Sequence, residues 1–438
     1  MTAAAETALY NRIFWRIIPF LFLCYVAAFL DRVNVGFAKL QMAQELGFSD
    51  AVYGFGAGIF FIGYFLFEVP SNLALEKVGA KLWIVRIMVT WGIISSCMML
   101  VETEFWFYTL RFLLGAAEAG FFPGIILYLT YWFPAAQRCR MMALFLTAVA
   151  VSNAIGAPIS GAIMQWLDGA NGWQGWQWLF LLEGLPSVLF GLLVLVLLDD
   201  GPGKARWLSE SEKAVVLRHL AEDETAKQAA GLRHRFADVF RDQRVWALSF
   251  TYLCMMMGFY AVNFWMPTII QEFGVDTHNY LQVGLLSMVP WGTATVAMVL
   301  NGSHSDKTAE RFWHAIVPLL IAAAGLLGLA LVGHAAVLSL VCLMMITTGL
   351  LSAIAVFWSI PAAFLSGTAA AAGIAWINSL GNLGGFVGPE LIGRMRTATD
   401  STEMAFFTLA GFVLLGSFVL LILRSKSAAG GKPSNARQ

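Results

Sequence analysis

LRFLLGAAEAGFFPG, Leu110 to Gly124, has the apolar density of a membrane-helix interior, yet it holds Arg111 and Glu118. A charge at the centre of a span costs roughly 2.5–3.5 kcal/mol on insertion scales, so such residues are read as functional by default. Seven residues separate the two. At about 100° per residue that is nearly two turns, which puts both on one face about 10 Å apart along the axis. In a straight helix they are too far apart to pair directly, so each needs a partner elsewhere. Asp31 and Arg32 in FLDRVNVGF are the opposite charges on offer.

The rest of the chain fits this reading. Hydrophobic residues make up 59% of the 438 and charged residues 12%, against about a quarter charged in soluble domains. Apolar runs of about 20 residues recur, each long enough to cross a bilayer. About twelve spans are predicted, near 13–41, 51–75, 82–101, 104–133, 139–167, 176–198, 245–271, 279–303, 313–333, 335–366, 369–397 and 402–424. The expected organisation is all-α: a six-helix bundle in 1–198, a polar linker in 199–244, a second bundle in 245–424 and a tail in 425–438. Met1 to Asn11 is short and polar and leads into a full span, so no cleavable signal is expected.

Basic residues in loops set the orientation. Arg12, Arg16, Lys77, Lys81, Arg138, Arg140, the linker and Arg424 to Lys432 mark one side, and Glu45, Asp50, Glu102, Glu104 and Asp168 the other. Both termini and the linker are therefore predicted to be cytoplasmic. Arg394 and Arg396 disagree, on the predicted outer side.

Two motif pairs repeat at almost one offset. Glu76-Lys77 and Asp306-Lys307 lie 230 residues apart, and Pro158 and Pro389 lie 231 apart. Duplicated halves with a midplane site between them are a transporter arrangement.

Composition also excludes. Lysine plus arginine equals aspartate plus glutamate, 27 each, which gives no argument for nucleic acid. Four of five cysteines (Cys24, Cys97, Cys254, Cys342) lie in apolar runs, and no Cys or His cluster has metal-ligand spacing. No metal, no cofactor and no enzymatic constellation is expected; the energy source would be a proton gradient.

Asp31 and Glu118 are candidate proton carriers. Arg32 and Arg111 are candidate ligands for a carboxylate, which arginine grips with a planar fork. All four charges sum to zero; protonating both acids leaves two positive charges, suited to an organic anion. The alternative is a structural ion-pair network joining the first and fourth spans. Tyr64 is placed as a possible carboxylate or hydroxyl ligand, or as packing. Asn378 and Asn382, one turn apart in INSLGNLGGFVG, and Asn153 in the comparable first-half span, could donate to the anion or bond between helices. Glu68 and Glu183 are read as structural, and Lys39 as snorkelling to the outer surface.

FLDRVNVGFA, RFLLGAAEAGFFPG with WFPAAQRCR, GWQWLFLLEGLPSVLFG, LDDGPGKARWLSESEK and INSLGNLGGFVGP together resemble the anion:cation symporter family of the major facilitator superfamily. FWSIPAAFLSGTAAAAGIAWIN is similar to its tartrate and hydroxyphenylacetate branch; the family also holds phthalate and sugar-acid importers. The resemblance implies two six-helix bundles, alternating access and proton-coupled import of an organic carboxylate by a monomer in a bacterial cytoplasmic membrane. It implies protonation at Asp31 and Glu118 and substrate contacts at Tyr64 and Asn378; Arg32 and Arg111 would contact the carboxylate or organise the acids. An exporter of the same superfamily and a non-transporting membrane receptor are the rival expectations.

Overall fold

In hydrocarbon every backbone polar group must be satisfied within the protein, so an apolar chain of this kind folds as helices. A computed structural model describes residues 3–229, 241–333, 335–362 and 367–430. Among them there is no strand. The N-terminal helices are α1 (Ala3–Val33), α2 (Val35–Glu45), α3 (Asp50–Val78), α4 (Ala80–Cys97), α5 (Glu104–Glu118), α6 (Phe121–Thr130), α7 (Ala135–Leu167) and α8 (Gly175–Leu197). Then come α9 (Glu210–Ala229), α10 (Gln243–Gln271), α11 (Tyr280–Thr308), α12 (Phe312–Val332), α13 (Ala336–Phe357) and α14 (Ser359–Ala362). The last are α15 (Gly367–Asn382), α16 (Gly384–Thr399) and α17 (Glu403–Gly430).

Eleven helical stretches among the described residues are long and apolar enough to cross a membrane. They match eleven of the twelve predicted spans. The exception is 369–397, which is two helices of 16 residues, α15 and α16, interrupted at Leu383. One further span is interrupted, where Ala119–Gly120 separate α5 from α6. Asn34, between α1 and α2, keeps helical dihedrals, so those two run on as one stretch from Ala4 to Glu45. Hydropathy does not register such breaks, because the residues on either side stay apolar.

The starts of α3 and α5 carry ordinary caps. Ser49 Oγ accepts from Val52 N at 3.2 Å, and Thr103 Oγ1 from Trp106 N at 3.4 Å. The polar linker contains α9, opened by a capping box between Ser209 and Glu212. α9 packs on α1 through Tyr10–His219 at 3.0 Å and the Arg12–Glu212 ion pair.

Contacts divide the chain into two compact units, Met1–Leu232 with Asn263–Gly292, and Arg233–Val262 with Thr293–Gln438. In the first, α3 and α5 meet backbone to backbone: a Cβ on Gly115 would stand 1.9 Å from Phe60 O, and one on Gly63 2.2 Å from Phe112 O. In the second, Gly384 and Gly388 bring α16 against α10 at Leu253 and Met257. Small residues at helix contacts are the usual way to pack helices in lipid.

Candidate functional site

The close approach of α3 and α5 builds the site. It brings the side chain of Arg111 onto the α3 backbone, where Nε donates to Gly56 O at 3.3 Å and Nη2 to Ala57 O at 3.1 Å. Arg111 is 0% exposed. Its Nη1 is buried without a hydrogen-bond partner, and no carboxylate lies within ion-pair distance among the described residues.

Arg32 occupies the last turn of α1, where the helix dipole favours a cation. Its Nη2 donates to Oε1 of Glu118, the last residue of α5. An anion is disfavoured at that helix end, and Arg32 offsets it. The centre of the Phe60 ring is 5.3 Å from the Arg32 guanidinium and 5.2 Å from that of Arg111. Arg32 also lies 5.6 Å from the ring of Tyr64, which is buried in α3.

Asp31, 1% exposed, lies apart from both arginines in its hydrogen bonding. Its carboxylate accepts from Trp91 Nε1 at 3.0 Å and Ser95 Oγ at 2.8 Å, both on α4, and from Ser187 Oγ on α8. The sequence-based pairing is therefore half right. Arg32 does satisfy Glu118, but Asp31 does not satisfy Arg111: tryptophan and serine donors take its lone pairs, and carbonyls take the Arg111 donors. Isolated serines in LEGLPS and IISSCM were the available signal for those donors.

The break after α5 places Glu118. Ala119 leaves helical geometry and Gly120 has φ +87°, a left-handed conformation that suits glycine. A Cβ there would also meet Ser71 Oγ at 2.3 Å. Arg86 of α4 caps the same end, reaching Ala117 O at 3.5 Å.

Asn153 is buried; its Oδ1 accepts from Asn263 Nδ2 at 2.9 Å and its Nδ2 donates to Val149 O at 2.9 Å. Asn378 and Asn382 are half-buried on α15, in the second unit. Lys39 does not snorkel. It is 7% exposed, bound to Asp50 at 2.8 Å and set 4.3 Å from the Trp265 ring. A partner on the next helix costs less than a route to water. Glu68 is buried on α3, and Glu183 on α8 accepts from Ser160 Oγ at 2.6 Å. No cluster of three or more metal-ligating side chains occurs among the described residues.

A bundle of apolar helices with interrupted spans meeting at buried charges is the build of a membrane transporter. The sequence model of the Major Facilitator Superfamily matches residues 21–389. The chain belongs to that superfamily: it is a multi-pass membrane transporter and not an enzyme. It is 48% identical over 433 residues to a protein of Agrobacterium vitis named "Putative tartrate transporter", covering 99% of this chain and 98% of that one. It is 40% identical over 415 residues to a "Quinolone resistance transporter" of Acinetobacter baumannii, covering 94% of each. Among solved structures, a bacterial homolog to the human lysosomal transporter Spinster shares the fold, with a TM-score of 0.76 at 16% identity over 96% of this chain and 98% of that one.

Proposed function

We propose that the chain imports an organic carboxylate anion together with protons, by alternating access between its two six-helix halves, as a monomer in a bacterial cytoplasmic membrane with both termini cytoplasmic. The observation that carries this reading is Arg111: a fully buried cation with no carboxylate in ion-pair distance among the described residues and with a spare donor, beside an Arg32–Glu118 pair. Arg111 and Arg32 grip the substrate carboxylate, with Tyr64 and Asn378 as further contacts. Glu118 and Asp31 carry protons. Protonating Glu118 releases Arg32 from its partner, and an entering carboxylate takes the vacated place. Anion and proton then favour each other's binding. Phe60 and Phe264 flank Arg111 in this conformation, so it meets substrate in one where they move aside. The tartrate name of the Agrobacterium relative supports the substrate class.

The test is tartrate uptake into proteoliposomes holding a pH-sensitive dye, with phthalate and hydroxyphenylacetate as further probes. Concentrative uptake should acidify the lumen, and Glu118→Gln should lose accumulation while keeping counterflow exchange. Uptake with no proton movement sinks the reading. The quinolone resistance relative favours a second reading, proton-driven export; quinolone extrusion from the same vesicles with no carboxylate uptake would establish it instead.

A further inference from the structure

Glu183 is the one deeply buried carboxylate of α8, and the reading above leaves it unused. Its Oε1 accepts from Ser160, while Oε2 is buried without a hydrogen-bond partner. No cation lies within ion-pair distance of it among the described residues. Asn34, between α1 and α2, lies beside it and is 1% exposed. Neither Nδ2 nor Oδ1 of Asn34 makes a hydrogen bond of normal geometry. Ser160 and Asn34 also line a chamber of about 20 Å³ with Asn153, Asn263 and Ser287, enough for roughly one water.

An amide serves a carboxyl group in either protonation state: its NH₂ donates to the anion and its carbonyl accepts from the neutral acid. Asn34 stands within reach of the Glu183 carboxyl, and neither end is held by another side chain or carbonyl. Along α8, Glu183 and Ser187 are four residues apart and share a face, and Ser187 donates to Asp31. The two acids thus stand about one helical turn from each other.

We propose that Glu183 is a third proton-carrying carboxylate of the transporter, coupled to Asp31 across one turn of α8 and opening through Ser160 and Asn34 onto the chamber they line. This rests on the proton-coupled reading above. Uptake of a proton from water at Oε2 gives the neutral acid; its release restores the anion next to Asp31. Three other titratable groups on the surrounding helices are engaged elsewhere. Arg32 is paired with Glu118, Lys39 with Asp50, and Glu45 with Trp176. On α4, Arg86 lies over Trp83, Lys81 stands in the first turn, and Cys97 is half-buried.

Infrared difference spectra of the purified transporter, titrated across neutral pH without substrate, test this. Wild type should show a protonated-carboxyl stretch that disappears as pH rises. Glu183→Gln should lose that band, and Asp31→Asn should keep it with a shifted midpoint. An unchanged spectrum in Glu183→Gln overturns the proposal. Should that variant fail to fold, Ser160→Ala decides: removing the hydroxyl donor should shift the frequency, and an unmoved band overturns it. No substrate enters this measurement, so its failure is distinct from failure of coupled uptake in vesicles.

Discussion

Arg111 is the residue whose chemistry depends most on shape rather than charge. Two of its nitrogens donate to α3 carbonyls and the third is buried without a hydrogen-bond partner. Lysine keeps the charge but loses the fork, and cannot hold both carbonyls and present a donor. Arg111→Lys should weaken carboxylate binding by about tenfold or more, the scale of one lost charge-assisted hydrogen bond. The measurement is the ligand-induced rise in melting temperature; an unchanged rise would assign Arg111 to structure alone. Such buried charges were legible in the sequence because lipid penalises them. Their partners were not. Asp31 takes donors from Trp91, Ser95 and Ser187, and which helix supplies a donor is fixed by packing, on which local sequence is silent.

Helices here depend on backbone contacts and on breaks. Gly115 faces Phe60 O, so Gly115→Val should force α3 and α5 apart and cost about 1–3 kcal/mol of stability, read as a lower melting temperature in detergent. No rotamer change can relieve a clash with a carbonyl. Gly120→Ala should cost about 1–2 kcal/mol from its left-handed backbone alone. The start of α12 behaves differently, being capped by charge. Burial acts against ionisation of Glu310, but the Trp313 and His314 amides and the His314 ring donate to it and hold its carboxyl below the usual range. A depressed carboxyl stabilises above its unfolded value and ceases to as pH falls through its folded one. Glu310→Gln should therefore lower stability at neutral pH by about 0.5 kcal/mol, the low end for caps at exposed sites. The difference from wild type should close under acid conditions; a pH-independent gap would mean the charge contributes nothing. Glu310 lies in a short polar turn that sequence patterning treats only as a loop. The break at Ala119–Gly120 escaped it too, since two residues of changed dihedrals leave hydropathy untouched.

For the whole molecule, the eleven spans and the all-α class were legible because a run of about 20 apolar residues has few alternatives in a bilayer. Superfamily membership followed from several motifs spread along nearly the full length. The polar linker read only as soluble chain, whereas α9 docks on α1 through Tyr10–His219 and Arg12–Glu212. Breaking that dock with Arg12→Ala should change stability little, within about 1 kcal/mol, as expected of a solvent-screened pair. A larger loss of melting temperature would show that α9 is integral to the first unit.

The glycine contacts between α3 and α5 also have a mechanical meaning. Helices joined carbonyl to Cα have no side-chain cushion, so the pair resists sliding and carries Arg111 as if clamped. Glu118 stands only seven residues further along the same helix, at the end just before the Ala119–Gly120 discontinuity. Both charges therefore ride on one beam fixed to α3, and α6 takes its own direction only beyond them. The distance between Arg111 and Glu118 is thereby set by a single rigid helix, like two marks on one ruler.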